Sequence, residues 1–86
     1  MPSSLYTDDY VAFVDRLVAV RRELGVTQDE LASRLGKPQS FVSKSERRQR
    51  RIDVVEFVAI AEALELDPAV LLQRLAEGLT KNAAKS

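Results

Sequence analysis

The sequence predicts an all-α domain of five short helices. Apolar side chains recur at three- and four-residue spacing and cap residues precede most of these runs, while alternating strand patterns and Asn-Gly hairpin signals are missing. Eighty-six residues allow one domain with a small core. The domain is expected over residues 1–79, followed by a polar, alanine-containing tail over 80–86 that frays.

The first helix is expected from Asp8 to Leu24, with Val11, Val14, Leu17, Val18 and Leu24 as its apolar face. Thr7 serves as its N-cap, Asp8 and Asp9 oppose the helix dipole, and Gly25 ends it. Thr27 and Glu30 make a capping box for a second helix, which buries Leu31, Ala32 and Leu35 before Gly36 stops it. A third runs from Pro38 or Gln39 to Arg47, because proline is tolerated in the first turn. Asp53 caps a fourth, with Val54, Phe57, Val58, Ile60, Ala61 and Leu64 facing inward. Asp67 followed by Pro68 opens the fifth, with Val70, Leu71, Leu72 and Leu75 apolar and Gly78 at its end.

Composition excludes most chemistry. The chain has neither cysteine nor histidine, so it lacks thiolate ligands, disulfides, and the commonest general base and metal ligand. Ser40, Ser43 and Ser45 have no histidine to activate them, and no Gly-x-x-x-x-Gly-Lys phosphate loop is present. We therefore expect no enzyme, no metal and no cofactor. No uncharged apolar run is longer than Tyr10 to Val14, far short of a membrane span, and Met1 to Tyr10 lacks the pattern of a secretory signal. A cytoplasmic protein without a membrane partner is the expectation.

A net charge of zero conceals an asymmetry. Between Arg34 and Arg51, seven basic groups face one acid, a local charge of +6, whereas the flanking stretches 1–33 and 52–86 each carry −3. Clustered Lys and Arg are either a solvated loop or a polyanion-facing patch. The steric pattern from Gln28 to Ser45 favours the patch. Ala32 is small where a second helix must cross closely, Gly36 lies in the turn, and Leu31, Leu35 and Val42 point inward. Two short helices joined this way make a helix-turn-helix.

The run from Val26 to Pro68 resembles the Xre/Cro-like helix-turn-helix domain of phage repressors and bacterial transcription regulators. The resemblance covers Arg21 to about Leu75, and Thr27-Gln28-xx-Leu31-Ala32 and Ser43-Lys44-x-Glu46 match its most specific motifs. It implies a five-helix domain that binds operator DNA as a homodimer, with the third helix in the major groove. Three positions depart from the pattern. Ser45 stands where the family has an apolar residue, Arg48 where a glycine commonly ends the helix, and Pro38 at the usual Ser/Thr cap.

Carried onto this chain, the family geometry assigns base contacts to Gln39, Ser40, Phe41, Ser43 and Lys44. Gln39 can pair bidentately with adenine, and Lys44 can reach guanine or a phosphate. Phe41 either meets a thymine methyl or packs on the second helix. Gln28, Lys37, Arg47, Arg48, Arg50 and Arg51 are expected at phosphates, which position the protein without reading sequence. The resemblance pairs Arg21 with Glu46 in an internal ion pair joining the first and third helices. The double-stranded target is expected to be a palindromic operator, since two copies on half-sites about 34 Å apart double the contacts of one short helix. The competing reading is a protein-interaction module of the same fold, such as an antitoxin. It would hold its partner through the fifth helix, where Leu79 is the expected surplus apolar residue.

Overall fold

The computed structural model describes residues 7–79, so the 80–86 tail lies outside it. Within these residues the chain forms α1 (Asp8–Glu23), α2 (Gln28–Leu35), α3 (Gln39–Glu46), α4 (Val54–Ala63) and α5 (Pro68–Ala76). Among the described residues no helix is long and apolar enough to cross a membrane.

Short polar side chains start the helices. The Thr7 hydroxyl accepts from the Tyr10 N–H at 3.2 Å, and Asp67 accepts from Ala69 and Val70 ahead of α5. Full capping boxes open α2 (Thr27 with Glu30) and α4 (Asp53 with Glu56). Pro38 is the exception: it takes the N-cap position of α3 with extended backbone and supplies no side-chain cap bond.

The first four helices close alike. A residue in the left-handed region sends its own N–H and the next residue's back to the last turn, as in Gly36 to Ser33 with Lys37 to Ala32, and Glu65 to Glu62 with Leu66 to Ala61. Gly25 and Gly36 do this without a Cβ penalty, whereas Arg48 and Glu65 both adopt φ 62°. The last turns of α4 and α5 also receive long-range caps. Arg34 Nη1 donates to the Ala63 carbonyl at 2.8 Å, and Arg16 Nη1 to those of Leu75 and Glu77 at 2.9 and 2.8 Å.

The core sits where all five helices converge. Leu17, Leu31, Val42, Ile60 and Leu71 each come from a different helix, and Phe13 and Phe57 meet with ring centroids 5.6 Å apart. The apolar faces are narrower than their periodicity suggests. Leu24, expected inside, caps α1 and is 47% exposed; Val20 and Arg21 are buried in that region instead. Val54 and Val58 were expected to face inward, but Val54 is 78% exposed and Val58 is also exposed. At 100° per residue they lie roughly 70° and 110° from the line through Phe57, Ile60, Ala61 and Leu64. On α5 only Leu71 and Leu75 are buried, and Val70 and Leu72 are exposed. Leu79, expected as surplus surface, is half-buried.

Candidate nucleic-acid interface

The helix-turn-helix is formed by α2 and α3, which pack closely through buried Ala32 and turn at Gly36. Helical geometry divides α3 into two faces. Val42 and Ser45 are buried on the inner side, whereas Gln39, Ser40, Lys44 and Arg47 are exposed on the other and Ser43 is half-buried beside them. Four of the five residues expected at bases therefore share one outward surface.

Phe41 is turned differently. Its ring packs against the core cluster, with the Lys37 Nζ 5.5 Å and the Arg50 guanidinium carbon 4.3 Å from its centroid. Of the two positions open to it, Phe41 takes the packed one over the outward one, because its direction on α3 lies closer to Ser45 than to Gln39.

A chain of polar contacts runs from the protein interior to the tip of α3. Arg21 Nε and Nη2 donate to the two carboxylate oxygens of Glu46 at 2.6 and 2.8 Å, and Arg21 Nη1 donates to the Val26 carbonyl at 2.7 Å. Glu46 Oε1 also accepts from Gln28 Nε2 at 2.8 Å, and Gln28 Oε1 accepts from Gln39 Nε2 at 2.7 Å. An exposed side chain at the start of α3 is thus braced by a buried ion pair at its end. The charge needs this treatment, since a buried guanidinium without partners is costly.

The basic run separates into groups with different surroundings. Arg48 makes a 3.3 Å ion pair with Asp15, and Arg51 lies 4.3 Å over the Tyr10 ring. Tyr10 accepts the Ile52 N–H at 3.0 Å, so α1 helps order the loop after α3. Arg50 Nη1 and Nη2 hold both oxygens of Glu56 at 3.1 and 2.7 Å. Lys37, Lys44 and Arg47 are exposed; among the described residues Arg47 reaches only Gln49 Oε1, at 3.5 Å.

These contacts shift three ionisable groups. The Arg50 hydrogen bonds hold the Glu56 carboxyl below the ordinary glutamate range against the opposing effect of burial, and they raise Arg50 reciprocally. The Thr27 N–H, then its hydroxyl, lower the exposed Glu30. Among the described residues no His/Cys/Asp/Glu group is arranged to hold a metal ion.

Sequence reasoning missed Arg16, Tyr10 and Glu56. Only Glu56 carried a usable signal, standing three residues after the cap Asp53 as Glu30 stands after Thr27.

A helix-turn-helix family model matches residues 17–71. No curated protein matches the chain. Among solved structures, an XRE-family like protein from Pseudomonas syringae pv. tomato str. DC3000 is 48% identical, covering 80% of this chain and 84% of its own, with a TM-score of 0.75. A point mutant of the restriction–modification controller protein C.Esp1396I is 27% identical, covering 94% of this chain and 98% of its own, with a TM-score of 0.72. The match spans the paired helices and their packing partners, and the chain belongs to the XRE family of DNA-binding helix-turn-helix transcription regulators.

Proposed function

We propose that this protein is a non-enzymatic cytoplasmic regulator, a repressor, that binds a palindromic operator as a homodimer and reads the major groove with α3. The observation that carries this reading is the outward surface of Gln39, Ser40, Ser43 and Lys44, bordered by exposed Lys37 and Arg47. Gln39 offers an amide to adenine, Lys44 a donor to guanine or phosphate, and the two serines small hydroxyls that allow close approach. Gln28 at the α2 N-terminus remains the phosphate contact of this reading, its amide also holding Glu46 and Gln39. Likeness to a restriction–modification controller supports a role in transcription control.

Dimerisation follows from scale. An eight-residue helix is only about 12 Å long and meets a few base pairs, so a second copy is needed for a selective site. Exposed Val54 and Leu72 border an apolar groove with Phe13, Ile52 and Phe57, a surface suited to a symmetric mate.

Selection of bound duplexes from a random pool, with mass measured in the same buffer, tests both parts. The expected result is a two-fold symmetric sequence bound by two chains, with Leu72→Asp lowering both dimer fraction and affinity. Absence of duplex binding at low salt rejects the operator reading in favour of a protein-interaction module.

A further inference from the structure

The backbone of α3 has close helical neighbours in only two directions. It takes α2 and α1 as neighbours, and among the described residues its backbone does not approach α4. The span is bridged by a side chain from the intervening loop. Arg50 stacks on Phe41, donates through Nη1 to Ser45 Oγ at 3.1 Å, and grips both oxygens of Glu56 in the first turn of α4.

Ser45 explains why an arginine is useful there. It is 3% exposed on the inner face of α3, where a hydroxyl requires partners. Its proton goes to the Phe41 carbonyl at 2.7 Å, and its oxygen accepts from Arg50. Glu56 is also held on two sides, because Oε1 accepts the Asp53 N–H at 3.1 Å while meeting Arg50. A planar guanidinium can meet both oxygens of this carboxylate while lying over the aromatic ring, a combination that the point charge of an ammonium does not match.

We propose that Arg50 is a positioning residue for DNA reading, fixing the tilt of α3 against α4 through Ser45, Phe41 and Glu56, in place of the phosphate contact suggested by its basic run. This rests on the reading of α3 as the recognition helix. The distinction lies in what is lost with Arg50. A phosphate clamp contributes equally to every duplex and to the salt dependence, whereas a device that aims α3 contributes only where bases are read.

The test compares wild type, Arg50→Ala, Arg50→Lys and Glu56→Gln on the selected duplex and on random-sequence duplex, at a temperature where circular dichroism shows each variant folded. Arg50→Ala is expected to weaken selected-duplex binding about tenfold while random-duplex binding changes by less than about twofold. Arg50→Lys is not expected to restore it, and the slope of log affinity against log salt is expected to stay at the wild-type value. Glu56→Gln removes a negative charge, yet is expected to weaken selected-duplex binding. Equal losses on both duplexes with a slope lowered by about 0.9 make Arg50 a clamp and overturn the proposal. Unchanged or tighter binding by Glu56→Gln also overturns it. Hydrogen exchange in the free protein supplies a readout independent of DNA. Arg50→Ala should accelerate the amides of Val42 to Glu46 about tenfold while leaving those around Leu17 and Leu71 unchanged, and unaltered α3 protection rejects the proposal. Wild type that fails to prefer the selected duplex refutes the DNA reading itself, and exchange then decides separately whether Arg50 holds α3.

Discussion

Arg21 and Glu46, 25 residues apart, close a two-toothed ion pair at 2.6 and 2.8 Å with side chains only 7% and 12% exposed. Removing one partner strands the other in a poorly solvated site. Glu46→Ala should therefore cost about 2–4 kcal/mol of stability, near the value for breaking a buried pair. Arg21→Ala/Glu46→Ala should be less harmful than the sum of the two single changes. Urea denaturation of the four proteins measures the coupling, and additive losses would show that the pair is not an energetic unit.

The pH dependence follows from Glu56 and Glu30, both held below the ordinary glutamate range in the folded protein. A lowered folded pKa means that the unfolded chain binds protons first as pH falls. The stabilisation is thus full above the unfolded value, about 4.3, and is lost as pH drops through the folded value. Arg50→Ala removes the largest cause of the Glu56 shift. The stability advantage of wild type over this variant should shrink by about 0.5–1 kcal/mol between pH 6 and pH 3. An advantage that stays constant across that window contradicts the assigned cause.

Local signals were the most legible. Thr27 with Glu30, and Asp67 with Pro68, announce helices because capping is decided within four residues. Gly25 and Gly36 announce ends for the same reason. Arg48 and Glu65 did not, because hydrogen bonding of the final turn forces them into the left-handed region despite a Cβ. Apolar periodicity placed Phe57 and Ile60 inside but overcounted Val54 and Val58, since it does not record how wide a face its neighbours cover. At the candidate site, charge density identified the segment without identifying each partner. Nothing local distinguishes Arg47, exposed on α3's outer side, from Arg50, held by Glu56 across the loop. The Arg21–Glu46 pair came only from family resemblance, because a separation of 25 residues has no local signature.

Glu65 offers a direct gain in stability. Its φ of 62° costs an L-residue about 1–2 kcal/mol, partly offset after replacement by the greater unfolded-state freedom of glycine. Glu65→Gly should stabilise the domain by about 0.5–1 kcal/mol, read as a higher urea midpoint at unchanged slope. Arg48→Gly relieves the same strain but also removes the Asp15 ion pair, so its gain should be smaller. Destabilisation by Glu65→Gly contradicts the idea that backbone strain dominates there.

Gln39 and Arg47 should divide sequence reading from adhesion. Gln39 begins α3 and is held by Gln28, which in turn rests on Glu46, so its amide is presented in a defined direction. Gln39→Ala should relax preference at one position of each half-site, costing about 1–3 kcal/mol on the selected duplex and almost nothing on random sequence. Gln28→Ala should disturb that same position, because it removes the brace while leaving the reading group. Among the described residues Arg47 has only the weak 3.5 Å contact with Gln49. Arg47→Ala should weaken every duplex alike and lower the salt slope by about 0.9. A randomised duplex library titrated at two salt concentrations separates these effects. If Gln39→Ala shifts all sequences uniformly, its amide is not reading a base; if Gln28→Ala alters a different position, the brace does not set the direction of Gln39.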